Sequence, residues 1–417
     1  MNYGCIGEKL SHSFSKEIHN RLFDYEYVLQ EIPREDLGTF MTQKAFKAIN
    51  VTIPYKEAVI PYLSFIDETA KKIGAVNTIV NRAGKLYGYN TDFMGMCALI
   101  QKNNLSLFNK KVLILGSGGT SKTAFAVAES LGARSVYRVS RDARDGCITY
   151  TQAKASHADA EFIINTTPCG MYPKLNVAAV DVADFPRLSG VVDAVYNPLR
   201  SRLVCDALDK GIPAVGGLYM LVAQAAFAAQ HFLDTPVPTE KIDEIYQSLF
   251  RKKQNIVLIG MPGSGKSTIG KALAQALNMA FVDTDEVIVE RAQTSIPEIF
   301  AAQGEKAFRD LETAAITEVS KNQNTVIATG GGAVLRTENV KLLSQNGRIY
   351  FLDRPLSAIE ATADRPLSSS REALEQRYKE RYHIYRKSAH VHLQASNDVA
   401  ENAEKIKEDF CNEHSCD

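Results

Sequence analysis

The chain has 417 residues, more than one hydrophobic core usually organises, so two or three domains are expected. A hydrophobic fraction of 45% with modest glycine and proline content is that of a soluble globular protein, not a disordered or fibrous one. Its 48 basic residues balance 48 acidic ones, which argues against a nucleic-acid or membrane-surface partner.

The opening residues, MNYGCIGEKLSHSFSK, lack a basic start followed by an apolar run, so no signal peptide is expected. SHSFS offers two hydroxyls, Ser13 and Ser15. KAFKAINVTIPYK reads as a helix end, a strand and a turn, and it supplies Asn50, Thr52 and Lys56. AVNTIVNRAGKLYGYNTD reads as a hairpin with RAGK as its turn; it carries Asn77 and ends on Asn90, Thr91 and Asp92. Reduction of a ketone by hydride needs a proton donor at the oxygen and groups that orient the substrate, and these side chains are candidates. Each also has a plainer reading: Lys56 as a surface lysine, Asp92 as a helix N-cap, the serines as a turn.

A second unit starts at 111. KKVLILG is a buried strand, and TSKTAFAVAESLGA is a helix ending at Gly132 in the C′ position. Between them lies Gly116-Ser117-Gly118-Gly119-Thr120-Ser121, in the strand-to-helix context of a dinucleotide fingerprint. The first glycine permits a tight turn, the second a close approach to pyrophosphate, and the third position, here Ser121, must be small. The next strand, RSVYRVSR, ends in Ser140 and Arg141 where an NAD reader places an acid. Arginine suits a 2′-phosphate, so NADP(H) is the expected cofactor. AEFIINTTP and GVVDAVYNP are further strands, and the repetition predicts a parallel sheet with helices on both faces. GGLYMLVAQAAFAAQHF, 216–232, is short for a membrane span and contains Gln224 and Gln230, so a buried helix is expected. PTEKIDEIYQSLF is a helix, and RKKQ, 251–254, is the candidate linker.

A third α/β unit follows, with a strand at 255–260 and a helix at 266–277. Between them GMPGSGKST is a full P-loop: backbone N–H groups of Gly263, Ser264 and Gly265 and the helix start at Lys266, Ser267 and Thr268 would cradle the phosphates of ATP. Lys266 would reach the outer phosphates and Ser267 would ligate Mg²⁺. No NKxD or DxxG occurs after residue 254, which favours a small-molecule kinase over a GTPase. FVDTDEVI places Asp283 for the metal shell and Asp285 for an acceptor hydroxyl. GEKAFRDLE puts Arg309 on a helix start; TGGGAV gives Gly330, Gly331 and Gly332 where backbone must approach something closely; ADRPLSSS is a polar loop with Arg365, read as a lid; KERYHIY carries Arg381. Separated arginines beside a P-loop suit phosphate and carboxylate groups. RIYFLD and HVHLQA are strands, and His390 and His392 on the latter read as ordinary strand histidines instead of a metal pair. The seven cysteines form no CxxC and fit reduced thiols in a cytoplasm, with Cys411 and Cys416 in a frayed tail.

Taken in order, SHSFS, NVTIPYK, GAVNTI, YNTD, LGSGGT, INTTPCGM, DAVYNP and GGLYMLVAQA resemble the shikimate dehydrogenase family over roughly 1–250. The resemblance implies NADPH-dependent reduction of 3-dehydroshikimate to shikimate, with Lys56 and Asp92 as the catalytic pair. Ser13, Ser15, Thr52, Asn77 and Gln224 would hold the carboxylate and ring hydroxyls, joined by Tyr196. This chain departs from the family in having Lys16 where proline is usual, and Thr120, Ser121 and Lys122 where alanines and arginine are frequent. DTD, GExxFRxxE, GGG, DRPL and the late RxxxY resemble shikimate kinase over roughly 254–400, with SSS after RPL as the departure. That resemblance implies phosphorylation of the shikimate 3-hydroxyl by ATP. Arg309 and Arg381 would hold the carboxylate, with Gly331 and Gly332 beside it. Arg365 would close over phosphates, Asp285 would orient or deprotonate the hydroxyl, and Lys266 with Mg²⁺ would stabilise charge.

The expectation is therefore an α/β fusion. A split substrate domain (1–103, completed by helices in 218–250) would carry a Rossmann-like NADP domain (104–217), followed by a P-loop kinase domain (254–417). Its partners would be small molecules, with neither nucleic acid nor membrane. Rival readings are a quinate or other polyol-acid dehydrogenase fused to a different kinase, and a chain in which one half is a non-catalytic sensor.

Overall fold

Three sheets organise the chain, shared between two units, Met1–Ser248 and Leu249–Asp417. The structure, a computed structural model, describes residues 1–10, 14–359 and 371–412.

The first sheet is built from β1 (Tyr3–Gly7), β2 (Tyr27–Glu31), β3 (Ala48–Val51), β4 (Phe65–Ile66), β5 (Thr78–Arg82) and β6 (Lys85–Tyr89), in the order β2-β1-β3-β5-β6-β4. Its first three strands are parallel, while β5 runs antiparallel to both β3 and β6. The β5–β6 turn is RAGK, as expected. Ala83 and Gly84 have φ of 52° and 82°, the two left-handed positions of a tight hairpin turn. Asn81 fixes it, accepting the Gly84 N–H at 2.9 Å and donating to the Lys44 and Phe46 carbonyls at 3.0 Å. Helices α1 (Ser15–Leu22), α2 (Leu37–Gln43), α3 (Glu68–Ile73) and α4 (Thr91–Lys102) accompany this sheet. Asn90 caps α4 by accepting the Phe93 N–H at 3.1 Å, so Asp92, inside the first turn, is free of the capping role.

The second sheet consists of β7 (Lys111–Leu115), β8 (Ser135–Ser140), β9 (Ile148–Thr149), β10 (Phe162–Asn165), β11 (Gly190–Asp193) and β12 (Ala214–Val215). Its order is β12-β11-β10-β7-β8-β9 and every pairing is parallel. β10 and β11 are buried along their whole length, as a strand covered on both faces must be. Helices α5 (Gly119–Ser130), α6 (Tyr150–Ser156) and α7 (Arg202–Leu208) connect these strands, and Gly132 follows α5 with φ of 77°. The apolar 216–232 stretch is α8 (Leu218–Leu233), packed along α4 and α1 with an alanine-rich buried face. Next comes α9 (Thr239–Lys253). Its last turn contains Arg251, Lys252 and Lys253, so the expected linker RKKQ is mostly helix. Basic residues at a helix C-terminus are favoured by its dipole, which accounts for the difference.

The second unit holds one parallel sheet of β13 (Asn255–Ile259), β14 (Ala280–Asp283), β15 (Thr325–Ala328), β16 (Gly347–Asp353) and β17 (Val391–Gln394), ordered β14-β15-β13-β16-β17. Its helices are α10 (Lys266–Leu277), α11 (Thr284–Ala292), α12 (Ile296–Val319), α13 (Thr337–Asn346), α14 (Arg371–Ser388) and α15 (Val399–Asn412). Arg309 is not at the start of α12 but well inside it. Gly304, at φ 78° and ψ 175°, interrupts the helix five residues earlier, a conformation that glycine adopts without strain. Among the described residues no helix is long and apolar enough to cross a membrane.

Candidate active sites

In the first unit, β3 and β6 end near one another because β5 pairs with both. Lys56 follows β3, its carbonyl accepting the Val76 N–H at 2.8 Å, and Asp92 opens α4 directly after β6. Lys56 Nζ donates to Asp92 Oδ2 at 2.5 Å, with side-chain exposures of only 16% and 11%. Both line a cavity of about 590 Å³ together with Ser15, Thr52, Asn77, Tyr196 and Gln224. Ser13 lies outside the described residues. Asn77 accepts the Thr91 N–H at 2.7 Å and donates to Thr91 Oγ1 at 3.1 Å, which locks the start of α4 and so the position of Asp92. Beneath it Asn50, reached from Tyr27 at 2.7 Å, donates to the Asn77 carbonyl at 3.3 Å and to Thr78 Oγ1 at 3.1 Å. Burial pushes the Tyr196 hydroxyl pKa up, keeping it a neutral donor. Cys5, also in the cavity wall, is pushed up to about 12 by burial and is no nucleophile.

The glycine loop opens onto the same cavity. Gly116 has φ of 120°, and a Cβ there would stand 2.5 Å from Thr166 Oγ1. Gly118 has open space above it, and a Cβ on Gly119 would stand 3.9 Å from the Lys56 Cδ. Thr120 lines the cavity, Ser117 is exposed at the loop, and buried Ser121 donates to the Gly116 carbonyl at 2.7 Å, bracing the turn that a third glycine would relax. Ser140 and exposed Arg141 emerge from the same end of the sheet, next to β7, with the Ser140 hydroxyl bonded to the Asp142 carbonyl. An open glycine turn at the C-terminal ends of parallel strands, leading into a helix, fits a dinucleotide.

In the second unit Gly263 and Gly265 have φ of 82° and 91°, which only glycine takes readily, and α10 starts immediately after them. Lys266 Nζ folds back over the loop, donating to the Gly260 and Met261 carbonyls at 3.0 and 2.9 Å; Ser264 is buried and Thr268 exposed. Ser267 Oγ donates to Asp283 Oδ2 at 2.5 Å, and Asp283 Oδ1 accepts the Asp285 N–H at 2.9 Å. Among the described residues no three His, Cys, Asp or Glu side chains gather. Mg²⁺ suits such a site, since it takes one or two protein oxygens and completes its shell with phosphate and water. A cavity of about 160 Å³ joins Lys266, Ser267, Asp283 and Asp285 to Arg309, Arg381 and the three glycines. A Cβ on Gly330 would stand 2.5 Å from Asp285 Oδ1, one on Gly331 2.6 Å from the Pro262 ring, and one on Gly332 2.0 Å from Arg309 Nη1. Gly330 and Gly332 therefore make room for the acid and the arginine at the cavity, and Gly331 for the Pro262 ring. Arg381 donates to the Gly331 carbonyl at 3.1 Å, and Tyr385 bonds the same oxygen. Arg365 lies outside the described residues.

The structure adds residues that the motifs did not assign. Glu312, fully buried, accepts from Arg309 at 2.9 Å, and exposed Glu305 accepts at 3.2 Å. Burial opposes the Arg309 charge, but these carboxylates outweigh it and keep the guanidinium ionised. Phe300, Phe308 and Arg377 also line the cavity. The spacing of Glu305, Arg309 and Glu312 was a signal for the ion pairs, and Glu305, Phe308 and Glu312 are fixed letters of GExxFRxxE; nothing in sequence marked Phe300 or Arg377.

Two family models match. One, described as shikimate dehydrogenase substrate binding domain, covers residues 5–79; the other, described as shikimate kinase, covers residues 262–411. The chain is 36% identical over 266 residues to the shikimate dehydrogenase (NADP(+)) of Clostridium beijerinckii, spanning 60% of this chain and 98% of that protein. Among solved structures, a chorismate mutase/shikimate 5-dehydrogenase fusion protein from Clostridium acetobutylicum aligns at a TM-score of 0.56 and 36% identity, covering 59% of this chain and 96% of that one. Shikimate 5-dehydrogenase from Thermus thermophilus, solved with NADP(H) and shikimate, aligns at 0.54 and 25% identity, covering 60% and 99%.

Proposed function

The chain belongs to the shikimate dehydrogenase family and carries a shikimate kinase domain, and from this premise we infer how its two sites act on one acid. It is a bifunctional enzyme of the shikimate pathway, reducing 3-dehydroshikimate with NADPH and phosphorylating shikimate with ATP. When bound, NADPH supplies a hydride, and ATP with Mg²⁺ supplies a phosphoryl group.

In the first site Lys56 gives a proton to the oxygen of the carbonyl being reduced, and Asp92 holds the ammonium in line. Ser13, Ser15, Thr52, Asn77, Tyr196 and Gln224 bind the carboxylate and ring hydroxyls. Gly116 to Thr120 approach the pyrophosphate, while Ser140 and Arg141 receive the 2′-phosphate. In the second site Asp285 orients the acceptor hydroxyl and takes its proton. Lys266 and the backbone of Gly263 to Thr268 neutralise phosphate charge, and Ser267 and Asp283 hold Mg²⁺. Arg309, Arg381, Gly331 and Gly332 seat the acid, and Arg365 closes over phosphates. The neutral overall charge supports small-molecule substrates over nucleic acid, and the six free cysteines among the described residues support a reducing cytoplasm.

One observation carries this reading: each unit has a cavity in which a nucleotide loop meets side chains suited to a hydroxylated carboxylic acid. Lys56→Ala tests it. Shikimate-dependent NADP⁺ reduction should fall by about 10²–10⁴ in kcat, while shikimate-dependent ADP release stays within about twofold of the parent, because the two cavities share no residue. Loss of both activities from a folded variant would contradict two independent sites.

A further inference from the structure

The acceptor cavity of the second unit is lined by three guanidinium groups, and they are not equivalent. Arg309 is already answered by the carboxylates of Glu312 and Glu305. Arg381 donates to a neutral carbonyl, that of Gly331. Arg377 lies four residues before Arg381 on α14, hence on the same helical face one turn away. Its Nε is buried and meets no acceptor among the described residues.

Two like charges at this spacing repel, and a buried N–H without an acceptor is costly. Burial, and then the charge of Arg381, push the Arg377 pKa down, and the carboxylates of Glu305 and Glu380 oppose that shift without reversing it. An anion in the cavity relieves the repulsion between the two cations, and a planar carboxylate matches the fork of a guanidinium.

We propose that Arg377 is a further substrate-binding residue of the kinase site and that, beside Arg381, it grips the carboxylate of the acceptor acid. This rests on the kinase reading above. Acid recognition is then shared between Arg309 on α12 and the two arginines of α14.

The test uses the full chain, with ADP release measured against shikimate and against its carboxamide, which has the same ring and no charge. For Arg377→Ala and Arg377→Met the KM for shikimate should rise about tenfold or more, the scale of a lost charged hydrogen bond, with the KM for ATP within about twofold of the parent. The preference for acid over amide in kcat/KM should shrink by the same factor, and Arg377→Lys should recover part of it. An unchanged KM for shikimate, an equal loss for acid and amide, or a shift confined to ATP would overturn the proposal. Absence of shikimate-dependent ADP release from the parent enzyme would instead remove the kinase reading itself.

Discussion

Lys56 and Asp92 stand 36 positions apart in sequence and 2.5 Å apart in space. Each was legible only as a candidate, a polar residue just past a strand end or at a helix start, and the pairing of the two came from the family resemblance. Their support was not legible. The Asn50, Asn77 and Thr91 bonds depend on strand pairings that no local spacing reveals. Arg377 was hidden for a related reason: in EQRYKER five of seven residues are charged, and only the packed helix tells which face meets the cavity. Nearby polar burial has a measurable consequence. His19 is fully buried, stacked on Tyr27 at 3.9 Å, with Nδ1 2.5 Å from the Tyr25 hydroxyl oxygen, and burial pushes its pKa down to about 3. The unfolded chain binds a proton near pH 6.5, the folded one far lower, so His19 supports folding above 6.5 and that support is lost as pH falls toward 3. The buried Asp193 carboxyl, pushed up to about 7, contributes a slope of opposite sign over the same range, so the comparison with His19→Phe isolates the histidine. Amide exchange over residues 1–248 should show the parent losing stability relative to His19→Phe between pH 6.5 and 4, by a difference approaching about 1.4 kcal/mol per pH unit; identical pH profiles in the two proteins would refute the assignment.

Among the elements, buried strands and the P-loop helix were plain from continuous apolar runs and glycine punctuation, and α10 occupies the expected 266–277. Two features followed weaker local signals: the break at Gly304, which resembles any helical glycine, and the last turn of α9, whose basic residues also suit a linker. The α4–α8 packing could not be read at all, because it joins segments more than a hundred residues apart. There Gly95 lets the two helices approach closely. A Cβ on it would stand 2.8 Å from the Met220 carbonyl and 2.9 Å from the Gln224 Cβ, and backbone cannot yield cheaply. Gly95→Val should destabilise the first unit by roughly 1–3 kcal/mol. Because Gln224 lines the cavity, the variant should also raise the KM for shikimate in NADP⁺ reduction. An unfolding midpoint in urea equal to that of the parent would show that the helices part without cost.

For the whole molecule, the balance of 48 basic and 48 acidic residues leaves no global field to attract a polyanion. The two cavities proposed as the sites share no side chain, so recognition of the same acid as product and as substrate is expected to be local to each. The most direct measurement supplies purified full-length protein with 3-dehydroshikimate, NADPH, ATP and Mg²⁺ and follows the products together. NADPH oxidation should be followed by ADP release, and the carbon should end as shikimate 3-phosphate with one NADPH and one ATP consumed per molecule. Accumulation of shikimate without ADP, or no oxidation of NADPH at all, would contradict the account.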